Sequence, residues 1–315
     1  MRKVIGIGET VLDIIFKNDH PIEAVPGGSV FNGIISLGRS GIPTSLISET
    51  GNDRVGRNIV KFLEDNGVNA SNINVYPESK SPISLAFLNE QNDAEYIFYK
   101  DHPHDQLDFD YPDVQKDDIV MFGSYYALNP VIRPQVHGFL EYARNHGAIL
   151  YYYVNYRASH ANEVVKLTSN LLENLEFADI VRGSCEDFEI LFKKTDPDVV
   201  YRSQIAFYTK KFIYTQGANP VELRADGGLK KQYPVVVTET VSTIGAGDNF
   251  NAGFVFGLIK HGITRDIIDE GLTEKQWDEV IHCAQLFAAE CCQSINNSVS
   301  PEFGATMKAS LLSSE

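Results

Sequence analysis

Positive charge is scarce in this chain of 315 residues: 27 Lys and Arg stand against 42 Asp and Glu, a formal net charge of −15. A surface so acidic repels phosphodiester backbones and anionic lipid, which argues against nucleic acid and membranes as partners. Any polyphosphate must be met by a local positive feature or a metal ion. Cysteine is scarce as well. Cys185, Cys283, Cys291 and Cys292 show neither a CxxC pair nor a disulfide-framework spacing. The adjacent Cys291 and Cys292 fall in a helical pattern and read as packed, reduced thiols. No run approaches the roughly 20 apolar residues that span a bilayer. The opening MRKVIGIGETVLDII has basic residues before an apolar stretch, but Glu9 and Asp13 interrupt it and no small-residue cleavage site follows. A cytoplasmic protein is the expectation. Neither the P-loop pattern nor the GxGxxG fingerprint occurs, so P-loop ATPases and Rossmann dehydrogenases gain no support. No internal repeat, low-complexity tract or linker divides the chain, so residues 1–315 are expected to form a single domain.

What is present is an ordinary globular composition, 43% hydrophobic and 22% charged, arranged as alternating strand and helix signals. Residues 3–8 (KVIGIG) suit a buried strand. Residues 29–41 read as a helix with Ser29 as N-cap and Gly41 as the stop. A strand at 44–48 precedes a helix from Arg54, capped by Asp53 and ended by Gly67. The rhythm returns at 119–122, 131–146, 148–154, 160–175, 179–182, 186–193, 198–210, 212–215, 246–262 and 277–293. Such alternation predicts a mostly parallel sheet covered by helices on both faces. Residues 12–25 and 83–100 break it, reading as successive strands with no helix between them. They predict a small accessory sheet, either a lid over the site or an edge extension of the main sheet. Tyr151–Tyr153 read as core packing, and His102 and His104 in KDHPHD as a polar loop.

The most informative segment is Val241–Gly253, VSTIGAGDNFNAG. A strand candidate, YPVVVTETV, runs into Gly245-Ala246-Gly247, and an apolar helix follows at once. Glycines let a ligand approach the main chain. The first amides of a helix are unpaired and carry the positive end of its dipole, a phosphate-binding feature that needs no basic residue. Asp248 then sits in the first turn. Beside a bound anion a carboxylate hinders binding, yet it can accept a proton from an attacking hydroxyl. A plain helix N-terminus with a capping Asp is the alternative reading of these residues alone.

GAGD after a strand, PGGSVFN near the start and TQG about thirty residues upstream of GAGD together resemble the ribokinase-like (phosphofructokinase-B type) carbohydrate kinase family. The likeness runs from Gly8 to about Ala289. It implies an α/β three-layer sandwich with a mostly parallel central sheet and a small β lid. It also implies transfer of the γ-phosphoryl of Mg·ATP to a hydroxyl of a small sugar or sugar acid. By this resemblance Asp248 is the base, and the amides of Gly245, Ala246 and Gly247 form the anion hole. Asp13 holds sugar hydroxyls, while Gly27, Gly28 and Asn32 pack against the sugar. Thr215 and Gly217 line the nucleotide site, with Thr243 beside the anion hole. Residues 282–297 match the segment that covers the adenine. Asn155 and Arg157, in YVNYR, match the end of a family Asp-Pro-Asn-x-Arg motif, with Arg157 as a cationic contact to phosphate or substrate.

The chain also departs from that pattern. Ser242 replaces an Asp that helps bind a monovalent cation, which weakens the case for potassium, although loop carbonyls remain able to hold the ion. Tyr153 and Val154 replace Asp-Pro. Ser184 stands where Asn is common, and Asp187 replaces a metal-organising Glu on a shorter arm, reaching Mg²⁺ through water. GGSVFN lacks the Lys of GGKGAN, and together with NYR it looks most like the fructokinase and ketodeoxygluconate-kinase branches. Nothing near Gly27 to Asn32 in sequence is cationic, so a neutral sugar, fructose first, is the expectation. A nucleoside kinase and a non-catalytic sugar-binding regulator are the alternatives. Exposed strand edges of a lid would suit a homodimer.

Overall fold

The computed structural model describes residues 2–90, 94–100 and 107–312, which leaves His102 and His104 outside the described residues. Its strands are β1 (Val4–Ile7), β2 (Val11–Lys17), β3 (His20–Gly27), β4 (Thr44–Gly51), β5 (Val68–Asn69), β6 (Ile73–Tyr76) and β7 (Ile83–Leu88). There follow β8 (Ala94–Tyr99), β9 (Ile119–Gly123), β10 (Ile149–Tyr153), β11 (Ile180–Ser184), β12 (Phe212–Gln216), β13 (Asn219–Arg224) and β14 (Lys230–Tyr233). The large sheet runs in the order β14-β13-β12-β11-β10-β9-β1-β4-β5, with β6 paired to β4. From β12 to β5 every pairing is parallel, and β13 and β14 close one edge as antiparallel strands.

The central strands β1, β9 and β10 are buried at every residue, the signature of parallel strands covered on both sides. Along β9, Ile119 and Met121 enter one core while Val120 and Phe122 enter the other. The first core also takes in the helices Ser29–Arg39, Ala246–Lys260 and Glu274–Cys291; the second takes in Arg133–Asn145 and Val164–Phe177. The fold is therefore the α/β three-layer sandwich expected. Tyr151, Tyr152 and Tyr153 are fully buried in it. No helix among the described residues is long and apolar enough to cross a membrane.

The two rhythm-breaking segments form a separate sheet in the order β3-β2-β7-β8, with no pairing to the large one among the described residues, so the edge-extension alternative is not what forms. Its period-2 alternation turns Asp13, Tyr96, Phe98 and Lys100 toward a cleft shared with the main body. The opposite face carries Ile14, Phe16, Leu85, Phe87, Ile97 and Tyr99, with Ile97 43% and Tyr99 55% exposed.

Three local expectations are corrected. Residues 234–242 do not form a strand. Pro234 cannot donate to a ladder, and the segment instead runs along the Glu274–Cys291 helix. There the Pro234 carbonyl accepts from Gln285 Nε2 at 2.7 Å, and Val241 N donates to Cys292 O at 2.8 Å. The helix expected over 198–210 is only Pro197–Val200, continued by a wider π-type turn, Tyr201–Ile205. Ser29 is not an N-cap: Gly28, at φ 132°, holds that position and the Ser29 hydroxyl is used elsewhere. Asp53 does cap its helix, accepting from Gly56 N.

The Ala246–Lys260 helix is clamped against Glu274–Cys291. A Cβ on Gly253 would lie 2.5 Å from the Cys283 carbonyl oxygen and 2.8 Å from Ala284 Cα. Phe254, Phe256, Trp277 and Phe287 fill the remaining space, all fully buried. Gly253→Val must push the helices apart, so it should cost about 1–3 kcal/mol or more in chemical denaturation and lower the melting temperature.

Candidate active site

The GAGD turn is a partition. Gly245 takes φ 74°, and a Cβ there would come within 2.7 Å of the Asn297 carbonyl oxygen, so the bend admits only glycine. Gly245 and Asp248 face a pocket under the small sheet, whereas Thr243, Ala246 and Gly247 face a cavity of about 590 Å³ on the other side. One helix N-terminus thus addresses both compartments with the positive end of its dipole, the Ala246 amide being turned back onto the Thr243 carbonyl at 3.2 Å.

The pocket under the small sheet brings together Asp13, Gly28, Asn32, Asn155, Arg157 and Asp248, and continues past Glu9 and Lys100 into a cavity of about 500 Å³. Asp248 is gripped by both oxygens: Ser29 Oγ donates to Oδ1 at 2.8 Å and Asn32 Nδ2 donates to Oδ2 at 2.8 Å. Ser29 Oγ in turn accepts from Asn155 Nδ2 at 2.8 Å and lies 3.3 Å from the Tyr153 hydroxyl. Asn155 makes that contact from a left-handed backbone, φ 40°. Burial raises the Asp248 pKa, while Asn32, Ser29, Arg157 and Arg182 hold it back toward the ionised form. Asp13, nine-tenths buried, hydrogen-bonds Ser84 and lies 3.5 Å from Asn297 Nδ2. Burial pushes its pKa up to about 6, against opposing contributions from Ser84 and Arg157.

Gly27 serves differently from the expectation. Its missing Cβ makes room for Asp13 itself, whose carboxylate a methyl would meet at 2.2 Å. The fold also supplies the cations that local sequence withheld. Arg157, exposed and lying 4.8 Å over the Tyr96 ring, shares the pocket with Asn32. Lys100 is there too, paired to Glu9. His160, stacked on Tyr125 at 3.9 Å, completes a wall that no sequence motif had signalled.

The 590 Å³ cavity collects Thr215, Gly217, Thr243, Ala246 and Gly247 with an apolar end made by Val235, Val237, Ala288, Ala289 and Cys292. A flat aromatic base suits that end, and an anion suits the turn. Of the segment 282–297, expected to cover the adenine, Gln285, Ala288, Ala289 and Cys292 reach this cavity; Asn297 lines the other pocket. Asp187 does not open onto the cavity. It is buried, and its oxygens accept from Tyr156 N at 2.6 Å and Ser184 N at 2.7 Å in a capping box. Asp187, expected to reach a metal through water, has its shorter side chain turned back onto its own helix start. Glu186 lines the cavity instead, and among the described residues no cluster of three His, Cys, Asp or Glu could hold a metal. Ser242 is buried and accepts from Ile244 N at 3.2 Å. Arg182, which no motif had marked, enters the cavity from β11.

The pattern of the pfkB family carbohydrate kinases matches residues 1–302. The chain belongs to that family. As a pfkB kinase it is an ATP-dependent carbohydrate kinase, and the mostly parallel sheet with its smaller companion is the ribokinase-type fold. It is 27% identical over 276 residues to the 5-dehydro-2-deoxygluconokinase of Geobacillus thermodenitrificans, covering 81% of this chain and 80% of the relative. Among solved structures it is similar to the Vibrio cholerae fructokinase with fructose, ADP and calcium bound (TM-score 0.80, 18% identity, 99% of each chain). It is also similar to the Salmonella enterica aminoimidazole riboside kinase complexed with aminoimidazole riboside and an ATP analogue (TM-score 0.78, 20% identity, 98% of this chain and 100% of that one). These structural likenesses carry the fold.

In this pfkB kinase Asp13 is protonated below about pH 6 and ionised above it. The ionised form accepts two hydroxyls where the acid accepts one and competes as a donor. Acceptor affinity should therefore rise about tenfold from pH 5 to pH 7, and Asp13→Asn should flatten that step when KM is followed against pH.

Proposed function

We propose that this kinase transfers the γ-phosphoryl of Mg·ATP to a hydroxyl of a small keto-deoxy sugar acid. The reading is supported above all by the partition: one helix N-terminus stands between a polyol-binding pocket and a base-plus-phosphate cavity. The acceptor lies against Asn32 and Asp13, with its reacting hydroxyl at Asp248. As its oxygen bonds to the γ-phosphorus, the bond to the β-phosphate oxygen breaks, ADP leaves and the proton passes to Asp248. The amides of Gly245, Ala246 and Gly247 take up charge on the transferring group, support of a kind worth about 10² to 10³ in rate. Thr215, Gly217 and Thr243 border the nucleotide. Magnesium, when bound, neutralises phosphate charge. Glu186, the one carboxylate in the cavity wall among the described residues, would be the side chain to hold it, through water. Ser242 offers no charge to a monovalent ion.

Arg157 decides between acceptors. A neutral ketose such as fructose gives this exposed cation nothing to pair with, whereas a sugar acid presents a carboxylate matched to its fork. The 27%-identical relatives named as 5-dehydro-2-deoxygluconokinases point the same way. We further propose that a second copy covers the apolar outer face of the small sheet, like against like about a twofold axis. Ile97→Glu together with Tyr99→Glu should then halve the mass seen in sedimentation.

ADP release from Mg·ATP should be fast with 5-dehydro-2-deoxygluconate or 2-keto-3-deoxygluconate and slow with fructose and nucleosides. Arg157→Met should raise KM for the acid about 10- to 100-fold with little change for fructose. Equal turnover of fructose by the native protein would contradict the sugar-acid reading.

A further inference from the structure

The other buried arginines among the described residues sit in direct ion pairs with carboxylates, and Arg182 does not. Arg133, 7% exposed, holds Glu173 at 2.8 Å; Arg224, 6% exposed, holds Asp198 at 2.6 Å and Glu222 at 3.0 Å. Arg182 is 7% exposed, and its one hydrogen bond among the described residues runs from Nη2 to Thr215 Oγ1 at 2.6 Å. Its Nε has no hydrogen-bond partner among the described residues. The guanidinium lies 5.7 Å over the Phe250 ring, and a Cβ added to Gly247 would sit 3.3 Å from Nη2, so the group is packed against the anion-binding turn itself. A guanidinium withdrawn from water without a counter-ion is expensive, and a chain with net charge −15 has no shortage of carboxylates to supply one.

We infer that the missing counter-ion is the nucleotide's phosphate chain, with Arg182 contacting phosphate oxygens beside the amides of Gly247. Thr215 fixes one arm of the fork, and the unpartnered Nε is left for a phosphate oxygen, the two-point geometry that distinguishes arginine from lysine. Without nucleotide the same cation partly offsets Asp248 and Asp187, whose pKa values it holds down. With nucleotide it adds the mobile-free positive charge that the acidic surroundings otherwise withhold, at the place where charge builds on the departing β-phosphate.

Calorimetric titration of the full chain with ATP and with adenosine tests this, alongside steady-state rates, for the native protein, Arg182→Lys and Arg182→Gln. A phosphate contact predicts that Arg182→Gln weakens ATP binding about tenfold or more and lowers kcat about 10² to 10³-fold, while adenosine affinity stays unchanged. Arg182→Lys, which keeps the charge and preserves packing, should fall between. Equal loss for ATP and adenosine, or loss for neither, in a variant that melts like the native protein would overturn the inference. Such a contact requires the 590 Å³ cavity to be the proposed nucleotide site, and Ala288→Trp checks that separately by filling its apolar end. If that variant binds both ligands as well as the native protein, the cavity is not the nucleotide site and the inference falls with it.

Discussion

The site depends on one packing constraint, the closeness with which the Ala246–Lys260 helix is pressed against Glu274–Cys291 and the 297 backbone. At Gly253 and Gly245 protein atoms stand where a side chain would begin. A shift of the helix by the width of a methyl group would move its N-terminal amides and Asp248 together, because both belong to the same turn. Misplacements of that size are enough to cost orders of magnitude in a reaction that works by positioning. The rigid three-layer body holds the helix; the small sheet brings Asp13 and the Tyr96 platform over it.

Charge is distributed with the same economy. The chain is strongly acidic, yet each compartment receives one arginine that no carboxylate neutralises through an ion pair among the described residues. Arg157 stands in the pocket under the small sheet and Arg182 in the 590 Å³ cavity, with Asp248 between their fields, its pKa raised by burial and held back by both. The carboxylate is further tied by Ser29 and Asn32, so it points at one place and remains available to accept a proton. A cation on each side of a shared anionic junction suits a reaction in which negative charge moves from one compartment to the other.

The layered sheet, the accessory sheet and the GAGD turn were all legible in the sequence, because periodicity, glycine and capping signals act over a few residues. What local pattern could not carry was direction. YPVVVTETV has the composition of a strand, but Pro234 and the neighbouring helix claim its backbone. Ser29 reads as a cap, but Gly28 is better suited to that geometry and the hydroxyl is drawn to Asp248. Asp187 reads as a metal ligand from its spacing, and its capping hydrogen bonds are visible only in the fold. Arg182 and the meeting of Arg157 with Asn32 depend on contacts between residues far apart in sequence. A cue for Arg182 did exist: an arginine inside the apolar β-strand IVRGS needs a reason to be buried there.

In the proposed mechanism Asp248 takes the acceptor's proton at the junction of the two compartments. Asp248→Asn tests it most directly, since the amide keeps the shape and can still meet Ser29 and Asn32. Turnover and acceptor binding should be measured on the same preparation. The account predicts that phosphoryl transfer falls by at least about 10²-fold while acceptor affinity changes by no more than a few-fold. Near-native turnover in that variant would contradict the mechanism, and loss of acceptor binding with a native melting temperature would make Asp248 a binding group rather than the base.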